Sequence, residues 1–497
     1  MLYTSTRDKS LCVESSEAIT RGISAEGGLF VPLEIPKLSA QDIQDMIPMS
    51  YIERAKKVLS LYLTDFTAEE IDYCVKGAYK AGKFNSDKVA PLAHLEDNAE
   101  ILELFRGPTC AFKDMALQLL PYLLTTASRK AAPDKEIVIL VATSGDTGKA
   151  ALEGFKDVPK TRILVFYPEN GVSAMQKLQM CTQEGENVAV CAIKGNFDDA
   201  QSSVKRIFTD ASVADRLAEN DLMFSSANSI NWGRLVPQIV YYCSAYCDML
   251  EHGRLEMGSP MNVVVPTGNF GNILAAYYAK QMGVPIGRLI CASNSNNVLT
   301  DFLTTGTYDR NRQFFTTTSP SMDILISSNL ERLLFHMAGE DDASVREWMG
   351  SLSKTGKYTV SDEVFEKIKA NFSAGFADDE KCAETIKTTY ENDHYLSDTH
   401  TGIAIAVYRA YKAATGDASP TIIASTASPY KFPKSVLTAL LGSAPEMDEL
   451  DMGAYLSEKT GTDIPAPLAG LKDKKVRFTT VSEIKDMEQQ VYNMLGI

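Results

Sequence analysis

From residue 136 onward the chain repeats one unit: a short, largely β-branched apolar run without polar alternation, then a segment with helical spacing. The runs cover 136–142, 162–167, 187–193, 261–265, 288–292 and 421–425. Helical patterns separate many of them, at 147–155, 173–184, 197–210, 236–250 and 272–282. A run with no alternation leaves no face for water, so its strand is buried on both sides. Strands of that kind, joined through helices, build parallel sheets covered on both faces. The expected fold class is α/β.

The flanks read differently. Residues 1–95 carry Gly27-Gly28, Pro32 and Pro36, then helical patterns at 51–63 and 68–81, and are expected to form an accessory region. The charged stretch from about 340 to 395 reads as a helical insertion on the solvent side. This leaves a large domain from 96–135 and 250–497, and a smaller α/β domain from 136–249. A chain of 497 residues, 45% hydrophobic, has the apolar material for such cores.

A net charge of −15 without a long basic run disfavours nucleic acid and anionic membranes as partners. An anionic substrate then needs its own cluster of donors inside a site. The nine cysteines are scattered and form no C-x-x-C pair, as expected of reduced cytosolic thiols. Cys243 and Cys247 lie four apart, but no histidine cluster accompanies them, so they read as small buried residues and no metal site is expected. The N-terminus lacks the apolar core of a signal peptide, and no stretch reaches membrane-spanning length. The expectation is a soluble cytoplasmic protein, monomeric or homodimeric.

Three turns follow the ends of expected strands, where open α/β sheets place ligands. Ala142-Thr-Ser-Gly-Asp-Thr-Gly-Lys149 offers hydroxyls and N–H groups at a helix start, suited to a carboxylate. It is not a P-loop, because Gly145 and Gly148 are too close and Ala150 follows Lys149. Pro266-Thr-Gly-Asn-Phe-Gly-Asn272 lets the backbone approach an anion and adds the Asn269 and Asn272 side chains. It lacks the third glycine of a dinucleotide fingerprint. The third turn, Ser425-Thr-Ala-Ser-Pro-Tyr-Lys431, carries hydroxyls that could face a cofactor ring nitrogen. Each alone could be an ordinary connection.

Lys113 adds the chemistry. It follows Ala111 and Phe112 and precedes Met115, Leu119, Leu120, Leu123 and Leu124, a pattern that buries the helix it introduces. A partly desolvated lysine loses its proton readily, as imine formation requires. The competing reading is a solvated surface lysine. Together with the Pro266 turn, Lys113 describes a socket for an aldehyde that carries a phosphate, which pyridoxal 5′-phosphate fits best.

The ordered motifs resemble those of the threonine synthase family, fold-type II pyridoxal-phosphate enzymes, in its longer microbial and fungal branch. The matches are Tyr3-Thr-Ser-Thr-Arg7, Glu26-Gly-Gly-Leu-Phe-Val-Pro32, Gly107-Pro-Thr-Cys-Ala-Phe-Lys-Asp114, Ala142-Thr-Ser-Gly-Asp-Thr-Gly148, Gly195-Asn-Phe-Asp-Asp199, Asn228-Ser-Ile-Asn-Trp232, Pro266-Thr-Gly-Asn-Phe-Gly-Asn272 and Thr318-Ser-Pro-Ser-Met-Asp-Ile324. The resemblance implies two parallel-sheet domains with the cofactor between them and a mainly helical N-terminal region. It implies that Lys113 holds pyridoxal 5′-phosphate, that Gly268, Asn269, Phe270, Gly271 and Asn272 cradle its phosphate, and that Thr426 meets the ring nitrogen. Thr143, Ser144, Gly145, Asp146 and Thr147 would take the substrate carboxylate. Lys177 and Arg234 are the candidates for the substrate phosphate. Ser428 departs from a frequent histidine, and Asp398-Thr-His-Thr-Gly402 replaces a proline-containing version, leaving His400 without an assigned role.

The implied reaction converts O-phospho-L-homoserine and water to L-threonine and phosphate. The cofactor acts as an electron sink and Lys113 as the base at Cα. Serine/threonine dehydratases and cysteine-synthase-like enzymes are the nearest rivals, but they do not require the long N-terminal region and the 228–232 motif. A non-catalytic relative that binds a small phosphorylated ligand is the rival of a different class, and Lys113 speaks against it.

Overall fold

The computed structural model describes residues 1–96, 98–170 and 172–497, with Asp198 through its backbone alone. Two separate sheets carry the strands expected from the apolar runs. The larger has six strands in the order Phe372–Phe376, Ile286–Ser293, Met261–Pro266, Thr421–Ser425, Ala99–Glu103 and Leu92–Leu95, parallel except for the last pair. The smaller has five parallel strands in the order Val481–Glu483, Val188–Lys194, Thr161–Pro168, Glu136–Ala142 and Leu222–Ser225. The strand Glu136–Ala142 is buried through its five central residues, as a strand covered on both faces must be.

In the larger sheet, Thr421–Ser425 lies between Met261–Pro266 and Ala99–Glu103. The loops leaving these three strands therefore emerge side by side. They carry the Ser425 turn, the Pro266 turn and Lys113 respectively. The Ala142 turn leaves the smaller sheet and opens the helix Asp146–Phe155.

Several boundaries differ from the expected division. The N-terminal region holds the helices Ser15–Arg21, Ala40–Met46, Tyr51–Tyr62 and Ala68–Tyr79, but also a three-stranded antiparallel sheet of Asp8–Glu14, Leu2–Ser5 and Phe30–Pro32. The stretch expected as a solvent-side helical insertion also supplies the edge strand Phe372–Phe376. That strand reads Phe-Ser-Ala-Gly-Phe, without the β-branched residues that mark the others. Val481–Glu483 returns to the smaller sheet beside Val188–Lys194, and Met487, Val491, Tyr492 and Leu495 of the final helix pack on that sheet's face. Three residues are too few to register as an apolar run. The helix Trp232–Glu251 packs on Gly271–Met282 and Tyr51–Tyr62 rather than on the smaller sheet alone.

The N-terminal region is fastened close to the Pro266 turn. Arg7 grips Glu331 through two hydrogen bonds of 2.8 and 2.6 Å. The adjacent Arg332 is fully buried and donates to the carbonyls of Phe30 and Ile230 and to Asn329. Trp232 packs edge-on against Tyr3 and Tyr278.

Among the described residues no helix is long and apolar enough to cross a membrane, and no group of His, Cys, Asp or Glu could hold a metal ion. Cys243 and Cys247 are buried free thiols.

Candidate active site

Lys113 precedes the short helix Asp114–Leu117, on a loop stitched to the Ser425 turn. The Phe112 N–H donates to the Thr426 carbonyl at 2.8 Å, and the Ser428 N–H donates to the Cys110 carbonyl at 3.0 Å. Asp114, buried, accepts from the Thr109 N–H and hydroxyl, both at 2.8 Å, and so folds the loop back on itself. Burial nonetheless raises the Asp114 carboxyl to about 6, against those bonds.

The Lys113 amine reaches toward both other turns. Its Nζ lies 3.5 Å from Ser321 Oγ and 3.8 Å from Asp146 Oδ2, with 12% of the side chain exposed. Burial pushes its ammonium down to about 8; Asp146 opposes that shift, while Lys431 and Arg234 add to it. The apolar setting read from the sequence thus yields an amine that loses its proton far more readily than a solvated lysine.

Ser321 connects the lysine to the glycine turn. A Cβ on Gly268 would lie 2.6 Å from the Ser321 carbonyl oxygen, so only glycine fits there without displacing that segment. The turn is held by Ser327, whose hydroxyl donates to the Gly268 carbonyl, and by Asn329, whose N–H and side-chain amide both donate to the Asn269 carbonyl. Phe270 adopts a left-handed φ of 64° and starts the helix Gly271–Met282, which directs its first N–H groups outward. Tyr241 and Tyr242 donate to Asn272 Oδ1 at 2.7 and 2.5 Å. That orientation leaves Asn272 Nδ2 buried with no partner among the described residues. A buried amide donor without an acceptor, beside a helix start and a glycine that backbone crowds, fits a phosphate. The residues present therefore fit the cofactor expected from the sequence.

Arg234 is a second donor without an anion. It is buried, its Nη1 donates to the Ala227 carbonyl at 2.5 Å, and its Nε has no partner among the described residues. Burial pushes its guanidinium down to about 10. Lys177 is different: it is exposed on the helix Ala174–Cys181, while the neighbouring Gln176 is the residue that reaches the site. Gln176 closes the capping box with Ser173 and donates through Nε2 to Asp146 Oδ1 at 3.0 Å.

The Ala142 turn divides its labour. Thr143 Oγ1 accepts from the N–H groups of Gly145 and Gly148, both at 2.9 Å, and shapes the turn. Gly145 has a φ of 134°, and a Cβ there would strike the Gln176 side chain at 2.4 Å. Ser144 and Thr147 are half-buried, and among the described residues neither hydroxyl has a partner. These hydroxyls and the helix start suit an incoming carboxylate. The Asp146 carboxylate cannot serve that purpose, because it already faces two lysines. Besides Lys113, the buried Lys431 meets Asp146 Oδ1 at 2.5 Å and donates to the Thr109 carbonyl at 3.1 Å. Burial alone would raise the Asp146 carboxyl, but Lys431, Lys113 and the Gln176 hydrogen bond hold it well below the usual carboxylate range.

Thr426 is buried at the end of its strand, with its carbonyl committed to Phe112. Ser428, in place of histidine, caps the turn Pro429–Lys431 by accepting from the Tyr430 N–H. His400, unassigned from sequence, accepts from the Ser321 N–H through Nε2 at 3.1 Å and meets Asp398 through Nδ1 at 2.7 Å. The acceptor role at Nε2 places the ring proton on Nδ1. His400 thereby secures the segment that faces Lys113. Ser321, Asn329, Gln176 and Lys431 were missed from sequence. Lys431 carried a visible signal as the last residue of a strand-end turn, and Ser321 lay inside the 318–324 match.

Three family models match the chain: "Threonine synthase N terminus" over residues 2–79, "Pyridoxal-phosphate dependent enzyme" over 101–426 and "Threonine synthase, C-terminal" over 401–491. The chain is 37% identical to threonine synthase of Pseudomonas aeruginosa over 94% of its own length and 97% of that protein's. It is 43% identical to threonine synthase-like 1 of Homo sapiens, over 86% of this chain but only 58% of that protein's length. The crystal structure of PLP-bound threonine synthase from Brucella melitensis superposes with a TM-score of 0.88 at 38% identity, covering 99% of both chains.

Proposed function

Since the chain belongs to the threonine synthase family, whose fold is that of type II pyridoxal-phosphate enzymes, we propose that it converts O-phospho-L-homoserine and water to L-threonine and phosphate. The observation that carries this reading is the desolvated Lys113 amine, which lies near Asp146 of the Ala142 turn and near Ser321, whose carbonyl abuts Gly268 of the Pro266 turn, on a loop bonded to the Ser425 turn. We propose the same division of the chain into a large cofactor domain and a smaller substrate-loop domain, with the final strand and helix assigned to the latter.

Pyridoxal 5′-phosphate, when bound, supplies the electron sink that makes Cα and Cβ protons removable. Lys113 would hold it, with Gly268, Asn269, Phe270, Gly271 and Asn272 placed to take its phosphate and Thr426 to meet its ring nitrogen. The Lys113 amine, when free, would take the Cα proton and serve in later proton transfers. Thr143 shapes the Ala142 turn, whose Ser144 and Thr147 hydroxyls, with the backbone of Gly145 and Asp146, orient the substrate carboxylate. Arg234 is the favoured partner of the substrate phosphate, since it is buried without a counter-ion; the exposed Lys177 is the secondary candidate. Loss of the Cβ proton and departure of phosphate from Cγ are balanced by a proton delivered to Cγ, water adding its hydroxyl at Cβ and a proton returned to Cα. A cytoplasmic monomer or homodimer is part of the proposal.

One other reading is a family relative that binds a small phosphorylated ligand without turnover. Phosphate release from O-phospho-L-homoserine, measured beside threonine formation and beside oxo-acid formation from threonine, separates the readings. Oxo acid without phosphate release would point to a dehydratase. Neither product, with an intact cofactor absorbance, would leave the binding protein.

A further inference from the structure

Asp146 is a buried carboxylate shared by two lysines, of which Lys113 is the one read as holding the cofactor. Holding a cofactor aldehyde, or acting as a base, requires Lys113 to lose its proton. If Lys113 were the only cation beside Asp146, that loss would strand a buried anion, which is costly enough to keep the lysine protonated. Lys431 removes the difficulty. Its side chain is fully buried and its Nζ contacts Asp146 Oδ1 and the Thr109 carbonyl. It stands on the turn after the strand Thr421–Ser425 of the large sheet, whereas Asp146 opens a helix of the smaller domain. We propose that Lys431 is a positioning residue: its fixed ion pair with Asp146 keeps that carboxylate satisfied and so leaves Lys113 free to give up its proton.

The groups that set the Lys113 charge are then Asp146, which favours the ammonium, and Lys431, Arg234 and Asp114 around it. Lys431 and Arg234 repel the ammonium, and Asp114 attracts it weakly. Removing Lys431 acts twice in one direction, deleting a repelling cation and turning Asp146 into a counter-ion for Lys113 alone. The inference rests on Lys113 being the cofactor lysine. Borohydride reduction of the wild-type holoenzyme followed by peptide mass mapping tests that premise separately, since a label elsewhere than Lys113 would sink the premise.

The test of Lys431 is the pH dependence of cofactor attachment, followed by visible absorbance after adding pyridoxal 5′-phosphate to resolved protein. Lys431→Met is expected to move the midpoint upward by about one pH unit or more. Lys431→Arg, which keeps the charge, is expected to stay near the wild-type midpoint. Asp146→Asn/Lys431→Met, which removes both charges, is expected to lose most of the upward shift. Thermal melting of each protein checks that it is folded, and Lys431→Gln carries the same expectation as Lys431→Met should the latter aggregate. A wild-type midpoint in a folded Lys431→Met or Lys431→Gln, or an equal shift in Lys431→Arg, overturns the inference.

Discussion

Arg332 Nη1 donates to Asn329 Oδ1 at 2.5 Å, and the Asn329 amide in turn donates to the Asn269 carbonyl of the glycine turn at 3.0 Å. With the bond from the same guanidinium to the Phe30 carbonyl, three bonds in series link the N-terminal region to the segment that would hold the cofactor phosphate. The long N-terminal region is thus a buttress for the site.

Arg332→Met tests the buttress. The substitution fills similar volume but leaves the acceptors of Phe30, Ile230 and Asn329 without their donor in a buried setting. The expected loss is on the order of 3 kcal/mol of stability, because each stranded acceptor keeps its desolvation penalty. It should be accompanied by weaker cofactor retention. Denaturant unfolding and a cofactor titration measure the two; a variant as stable as wild type with unchanged cofactor affinity would show that Asn329 holds its geometry unaided.

Gly268→Ala probes the same turn from the other side. The new methyl group would meet the Ser321 carbonyl oxygen at 2.6 Å, so either the turn or the segment near Lys113 must move. Crowding of this kind costs about 1–3 kcal/mol, which as cofactor affinity is roughly a tenfold to hundredfold loss. Gly416→Ala, at a glycine whose Cβ would meet nothing, is the control for handling a glycine replacement with positive φ away from the site.

The contrast between Lys113 and Lys431 explains what the sequence could convey. Lys113 precedes a strongly apolar helical pattern, so its burial is written in its neighbours along the chain. Lys431 is just as buried, but its partners Thr109 and Asp146 lie some 300 residues upstream, and no local period encodes them. The glycine turn was legible because its backbone does the binding. Asn329, which only holds that backbone, was not. Lys177 and Gln176 adjoin on one helix; Lys177 was marked by its charge, whereas the uncharged Gln176, which reaches Asp146, carried no such mark. The short strands at 372–376 and 481–483 were invisible for want of an apolar run; pairing with strong neighbours makes them strands.

Arg234→Met should separate the cost of the buried guanidinium from its use. In the absence of any phosphorylated ligand the variant is expected to be no less stable than wild type, since an uncompensated buried cation is replaced by an apolar side chain of similar size. In turnover the Michaelis constant for O-phospho-L-homoserine should rise by about tenfold or more, because a charge-assisted contact to phosphate is lost. Melting temperature and steady-state kinetics read the two effects. A raised cofactor dissociation constant with an unaltered Michaelis constant would reassign Arg234 from the substrate phosphate to the cofactor phosphate.

The last expectation concerns pH and follows from burial of Lys113. The ordinary lysine ammonium titrates near 10.5, and burial brings this one to about 8. Only the neutral amine attacks an aldehyde, so the rate of cofactor attachment to resolved protein should fall about tenfold for each pH unit below that midpoint and level off above it. Stability carries the matching sign. Between the folded and unfolded midpoints the unfolded chain binds the extra proton, so this residue's contribution to stability is absent below about 8 and grows as pH rises toward 10.5. Comparing wild type with Lys113→Met over that interval isolates the residue, because other titrating groups are common to both. The variant should lack both the attachment step and its share of the rising stability; an attachment rate flat between pH 6 and pH 9 in the wild type would mean that Asp146 and Lys431 balance the amine differently from the geometry described above.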